Sequence, residues 1–445
     1  MKLKLDCIMS KFTKLLNTPT LFISDMLKKK VSLLNRVGLT NQSTSPTPKK
    51  NVAQAKKKSP SPVTVITKNS RLFSRIAHLL HTGEGMTHGP SHLELWVGEF
   101  ISSKEEFSIL VRDFNLYNWA VDKYPYLNII YAKNPTDVEK VLHKLPFLKA
   151  IYYFSNTGNL IHTLRYNRYQ HIFLGHGDSD KSASAHKFFR VYDEIWVAGQ
   201  AHIDRFKNAG FNTAHIDFVK VGRPNLKHII KTSIDNEIEI KNKISKVTYF
   251  PTWEGVYEEN NYSSAHLSVI LLSEIQRKLN CKISAKYHPV TGSRDVTLKN
   301  ITTSLQVEFA DRTYMLDVAE KSTPISNLIV GSDAFICDIS AVVSECISSL
   351  SPIFIYIPTD RDISTSSSDM QYADYAYVFN NIPQLMELID DVLINGNDYL
   401  KEARYKALDY LLSIDKTIND TFDHELQRVS ADKELNANPR DFVNQ

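Results

Sequence analysis

From about residue 70 onward, short apolar runs alternate with stretches of helical period. Ser108–Val111, Leu127–Tyr131, Ala150–Phe154, His171–Leu174 and Glu194–Ala198 read as strands, with helical patterns at 135–145, 157–166, 181–190 and 200–209. Continuous apolar strands separated by helices predict a parallel sheet covered on both faces. A second series begins near residue 246, with strand-like runs at Val247–Phe250, Lys282–Tyr287, Gln306–Phe309, Leu328–Val330, Ala334–Cys337 and Ile353–Ile357. Its helical patterns fall at 264–279, 339–350, 383–394 and 400–414. The polar stretch 223–246 reads as the connection between the two series. The pattern predicts an α/β chain with two doubly wound, Rossmann-like domains, 67–225 and 226–415, followed by a helical tail over 416–445. Two such sheets facing each other leave a cleft at the C-terminal ends of their strands, where ligands bind.

The first 66 residues follow neither period. Residues 1–36 mix Phe12, Leu15, Leu16, Leu21 and Phe22 with Lys11, Lys14 and Lys28–Lys30, and read as a basic amphipathic segment that lies on a membrane. Lys14, Asn17, Pro19 and Asp25 interrupt its apolar stretches, which argues against a secretory signal. Residues 37–66 are rich in Ser, Pro and Lys and read as a disordered linker.

Charge sharpens this division. The net +4 is the sum of +11 in residues 1–66 and −7 in the remainder. A basic arm ahead of an acidic body suits an anionic membrane surface. Nucleic acid is the poorer partner, because the arm lacks interleaved aromatics for stacking and the body has no basic groove. No stretch reaches the ~18 apolar residues of a membrane span. The four scattered cysteines suit a reducing compartment, with Cys337 and Cys346 as buried thiols. The expected location is cytoplasmic, peripheral on the inner face of a bacterial cell membrane.

Candidate chemistry gathers where predicted strands end. Gly175-His176-Gly177 follows an apolar strand and precedes a predicted helix near Ser182. Flanking glycines allow a tight turn and close substrate approach, and a histidine there can accept a proton near neutral pH. His288 ends a strand of the second series in Lys286-Tyr287-His288-Pro289, so each domain brings one histidine to the presumed cleft. Thr252 and Trp253 follow the strand Val247–Phe250, where they can contact a phosphate and line a base or acceptor. Asp338 and Ser340 stand at a strand-to-helix junction, with Asp338 as the expected N-cap and the amides near Ser340 and Ala341 facing a phosphate. Glu345, on the following helix, can hold ribose hydroxyls. Asp178-Ser179-Asp180 resembles a metal clamp, but acidic residues are favoured at a helix start in any case. No metal site is expected.

In order and spacing these elements resemble the CDP-glycerol glycerophosphotransferase family, the teichoic-acid and capsule-type polymer enzymes. His176, Gly177 and Lys181 match its His-Gly with a lysine four residues on. Gly222-Arg223-Pro224, Pro251-Thr252-Trp253 and Lys286-Tyr287-His288-Pro289 match its next three elements. Ser332-Asp333, then Asp338-Ile339-Ser340-Ala341 and Glu345, match the last. The match spans residues 150–360. The resemblance implies a GT-B-like fold, CDP-glycerol as donor, no required cofactor, and transfer of glycerol phosphate to a hydroxyl of a membrane-linked glycan or polyol-phosphate acceptor with release of CMP. It implies His176 as the base and His288 as the group that binds or protonates the phosphate side. Donor binding would fall to Gly177, Lys181, Arg223, Thr252, Trp253, Lys286, Ser332, Asp338, Ser340 and Glu345. Two positions depart from the pattern: Glu254 stands where the family carries arginine, and Ala341 where it carries serine. A GT-B glycosyltransferase using a UDP- or CMP-sugar, and a non-enzymatic membrane-tethered scaffold, are the alternative readings.

Overall fold

The computed structural model describes residues 65–67, 75–177, 179–235, 243–365, 368–433 and 435. Segment 1–36, expected to lie on a membrane, and nearly all of the expected linker 37–66 lie outside these residues, as does Asp178.

Two sheets organise the described chain. The first contains β1 (Val65–Thr67), β2 (His78–Thr82), β3 (Phe107–Val111), β4 (Ile129–Ala132), β5 (Ala150–Tyr153), β6 (Gln170–Phe173), β7 (Glu194–Val197) and β8 (Asp217–Lys220), in the order β1-β4-β3-β2-β5-β6-β7-β8. All pairings are parallel except the edge pairing of β1 with β4. The second sheet is wholly parallel: β9 (Lys246–Phe250), β10 (Lys282–Ala285), β11 (Leu316–Val318), β12 (Ala334–Asp338), β13 (Ile353–Tyr356) and β14 (Tyr377–Phe379), in the order β11-β10-β9-β12-β13-β14. The strand order reverses between β2 and β5 in one sheet and between β9 and β12 in the other. Those are the switch points at which such sheets take ligands.

Side-chain alternation explains why helices cover both faces. Leu80, Ile109, Ile129 and Tyr152 point to one side of the first sheet, and Leu79, Leu110, Ile130 and Ile151 to the other. The first side is covered by α1 (Gly89–Ser103), through Leu93, Trp96, Val97 and Phe100, and by α2 (Phe114–Lys123). The second side receives α3 (Pro135–Leu142) and α4 (Gln200–Asn208). In the second sheet α5 (Lys227–Asp235), α9 (Ala341–Cys346) and α11 (Lys401–Leu412) pack on one face. The other takes α6 (Ser268–Leu279), α7 (Ile301–Glu308) and α10 (Ile382–Ile389). Between these lie the short α8 (Ile325–Ile329) and α12 (Ile414–Ile418).

The last helix, α13 (Thr421–Ala431), returns to the first sheet. Its Phe422, Leu426 and Val429 join the core of Trp96 and Phe100, each burial stabilising by about 1.5–3 kcal/mol. No described helix is long and apolar enough to cross a membrane. Cys281, Cys337 and Cys346 are buried free thiols.

Several predicted elements differ. Gln306–Phe309 is the end of α7 and Leu328–Val330 belongs to α8, because a short apolar run has the same appearance in either state. The helix expected over 181–190 is two short 3₁₀ segments, Ser182–Ser184 and Lys187–Val191. The helix expected over 157–166 reduces to a 3₁₀ turn, Gly158–Leu160. Part of the polar connection is helical, since α5 sends Ile229 and Ile230 into the second core.

Candidate active site

His176 stands just beyond β6, in a turn made possible by Gly175 (φ 68°) and Gly177 (φ 139°). Its Nδ1–H donates to the Phe154 carbonyl at 2.7 Å, which selects the tautomer and leaves Nε2 as the proton-accepting nitrogen. The ring is open to the cleft, yet the protein around it disfavours the imidazolium. Its pKa is therefore lowered, chiefly by desolvation and further by Arg223 and His88, while the Phe154 bond and Glu84 pull the other way.

The second sheet supplies the opposite wall. Lys181 crosses to it, its Nζ donating to Thr252 Oγ1 at 2.8 Å and lying 5.3 Å from the Tyr262 ring centroid. Burial lowers the ammonium to about 8, with Asp338 opposing. Asp338 is the last residue of β12 and is not the helix cap; Ser340 takes that position. One Asp338 oxygen accepts from the amides of Thr252 (2.7 Å) and Ser264 (3.0 Å), so the carboxylate ties β12 to the loop after β9. Burial raises it to about 6. Its other oxygen and the Ser340 hydroxyl are buried without a hydrogen-bond partner. Burial raises Glu345 to about 7, with the Arg223 charge opposing. The Arg223 guanidinium lies over Trp96, 5.9 Å from the ring centroid, and its backbone amide donates to Thr417 Oγ1.

His288 follows β10, its ring 6.1 Å from Trp253 in a stacked arrangement. Burial, then repulsion from Lys181, His88, His176 and Lys286, lowers its pKa to about 3. It is a neutral imidazole in this setting, which favours the hydrogen-bonding role over that of a resting acid. Glu254 is buried and accepts from the Gly292 amide at 2.6 Å, while Arg294 donates to its carbonyl. It fastens the loop after His288 at the position where arginine was expected.

The structure thus gathers His176, Gly177, Lys181, Arg223, Thr252, Trp253, His288, Asp338, Ser340 and Glu345 about one interface between the sheets. Lys286 is turned away, its ammonium held by the carbonyls of Glu320 (3.1 Å) and Lys321 (2.9 Å). Ser332 is a correction. It lies before β12, at the end of the strand opposite Asp338, and its hydroxyl bonds Thr248 Oγ1 and the Leu328 carbonyl. Neighbouring Asp333 accepts from the amides of Ser245 and Lys246, so this pair pins strand starts. Asp180 of the suspected metal clamp is in a buried ion pair with Arg205 at 2.8 Å.

Sequence reasoning missed His88 and His92. His92 stacks on His176 with centroids 4.0 Å apart and planes 13° from parallel, and His88 lies 6.1 Å from His92 and 6.2 Å from His288. Their signal was a pair of histidines four apart around the Gly-Pro that opens α1.

Gly177 lies against the start of α9 on the opposite wall. A Cβ built there would lie 2.7 Å from the Ala341 Cβ. Gly177→Ala is expected to destabilise by about 1–3 kcal/mol through backbone strain alone. Thermal unfolding checks this, and an unchanged midpoint contradicts it.

Two doubly wound sheets meeting at their strand ends, with a neutral histidine on each wall, define a GT-B-like two-domain protein. A sequence profile described as CDP-Glycerol:Poly(glycerophosphate) glycerophosphotransferase matches residues 119–412. The chain belongs to that family. Among solved structures, a histidine variant of the wall teichoic acid polymerase TagF superposes with a TM-score of 0.53 at 13% identity, covering 80% of this chain and 89% of that one. A TagF structure with CDPG gives 0.52 at 12% identity, covering 84% and 91%. Anabaena HepE, in complex with UDP and glucose, gives 0.50 at 11% identity, covering 79% and 100%. These likenesses show the shared fold. A search of curated protein sequences returns no match.

Proposed function

We propose that the chain transfers glycerol phosphate from CDP-glycerol to a hydroxyl of a membrane-linked glycan or polyol-phosphate acceptor, releasing CMP, in the assembly of a capsule or teichoic-acid-like polymer. The observation that carries this reading is His176, a neutral imidazole fixed in one tautomer and open to a cleft lined by Lys181, Thr252 and Ser340. The acceptor hydroxyl gives its proton to His176 Nε2 while its oxygen attacks the phosphorus that bears glycerol. The bond from that phosphorus to the CMP oxygen breaks, and CMP leaves with the bonding electrons. Lys181 and Arg223 meet the diphosphate charge, and the unpartnered Ser340 hydroxyl donates to a phosphate oxygen. His288 donates a hydrogen bond on the same side, and the negative phosphates raise its proton affinity. The basic arm holds the enzyme on the inner face of the membrane, beside its acceptor.

A nucleotide-sugar donor is the second reading. It is favoured by the likeness to HepE with UDP and glucose, and by Glu345, which serves any ribose. The deciding experiment offers purified protein a membrane extract as acceptor with CDP-glycerol or nucleotide sugars. CMP release from CDP-glycerol, retained in EDTA, is expected. Release of UDP from a UDP-sugar, with none of CMP from CDP-glycerol, overturns the donor. Complete loss in EDTA restored by Mg²⁺ overturns the cofactor-free reaction.

Lys181 sets a pH limit. Its ammonium loses a proton as pH rises through about 8, so kcat/KM for the donor falls above that point. Lys181→Arg keeps its charge throughout and is expected to remove this alkaline limb. A limb unchanged in the variant assigns it to another group.

A further inference from the structure

Five rings cross the interface in sequence: His176, His92, His88, His288 and Trp253. His176 and His288 belong to the reaction proposed above, and Trp253 flanks His288. His88 and His92 come from the start of α1, which carries none of the family motifs. We propose that His92 is the positioning residue of His176: its ring lies flat against one face of the base, holds that ring at a fixed angle and shields the face from water. The inference rests on the reading of His176 as the base.

Three observations support it. The two rings are at van der Waals stacking distance and nearly parallel, so His176 cannot tilt toward α1. Rotation about its other axis is resisted by the Phe154 bond. Two contacts therefore define the orientation of Nε2, one edge-on and one face-on. The helix carrying His92 is itself fastened to the same turn, because Trp96, one turn further along α1, donates from Nε1 to the Gly175 carbonyl at 2.8 Å.

The nitrogens of His92 do not act in proton transfer. The residue is 7% exposed and its Nδ1 is buried without a partner. Burial, with His176 and His88 beside it, holds its pKa down at about 2. It is a flat neutral plate at working pH. The groups facing His176 are Glu84 after β2, the Phe154 carbonyl after β5, His88 and His92 from α1, Arg223, and His288 from the second domain. Among these described residues His92 is the one stacked on the ring. Removing it admits water to that face, which stabilises the imidazolium and raises the pKa of the base.

The test compares the full chain with His92→Phe and His92→Ala, measuring kcat, donor KM and the pH–rate profile by CMP release. Phenylalanine preserves the plate without nitrogens, so kcat and the acid limb should stay close to wild type. Alanine should lower kcat by about 10–100-fold through misplacement of the base. Donor KM should be unchanged, and the acid limb should move to higher pH. An unaltered kcat and acid limb in His92→Ala overturn the proposal. So does a folded His92→Phe that loses as much as His92→Ala, since the nitrogens would then be required. His176→Ala, run alongside, separates the two levels: near-normal activity there overturns the base assignment itself. An imidazole titration of His176 by NMR needs no turnover. Its midpoint rises in His92→Ala, or the proposal fails.

Discussion

His176→Ala should lower turnover by about 10²–10⁴-fold, the contribution typical of a positioned general base, with the fold intact. The stability half of this expectation follows from placement. The ring is open to the cleft, and among the described residues its hydrogen bond is to the Phe154 carbonyl. Water entering the vacated space can satisfy that carbonyl. His176→Gln refines the test, because its side-chain amide can still donate to Phe154 while offering no base of useful strength. If His176 works as a base, Gln and Ala fall together. If its task is only to hold the turn, Gln recovers activity. CMP release near the wild-type rate in His176→Ala would end the assignment. Unfolding midpoints in urea should coincide for all three proteins.

Legibility in the sequence followed burial pattern. Strands with continuous apolar runs, such as β3, β5, β9, β12 and β13, were visible because both their faces are covered. The strand β2 at the first switch point was not, because His78, His81 and Thr82 interrupt it. Those side chains are buried by pairing: His78 with Tyr152 (2.9 Å) and Ser430 (2.8 Å), His81 with the Leu110 carbonyl and Thr163. Polarity in sequence does not reveal a partner 352 residues away. Losing β2 also hid α1, and with it His88 and His92. The placement of candidate residues was legible where glycine or proline marks a strand end, as around His176, Thr252 and His288. It failed at Ser332, where motif order placed a residue correctly along the chain but at the wrong end of its strand. Asp338 was found for the wrong local reason. Its carboxylate joins two loops, a role that needs the tertiary contact with Thr252 and Ser264 to be seen.

Asp180→Ala is expected to cost about 3–5 kcal/mol of stability, because it removes one partner of a buried ion pair. The Arg205 side chain is 2% exposed and that of Asp180 6%, with 2.8 Å between Nε and Oδ1. In water each ion would be well solvated, and here both are buried. The pair anchors β6's outgoing loop to α4, one residue before Lys181 reaches Thr252. The same change should therefore also weaken donor binding by letting Lys181 drift. A volume-matched double replacement, Asp180→Leu with Arg205→Met, removes both charges at once and should recover most of the stability. Urea unfolding of the wild type, the single variant and the double variant closes the comparison. The experiment also decides the metal reading of Asp178-Ser179-Asp180. A carboxylate that served a metal would be missed in turnover by single and double variants alike, with little change in stability. One that serves Arg205 is missed chiefly by the single variant, and chiefly in stability. The buried geometry favours the second outcome.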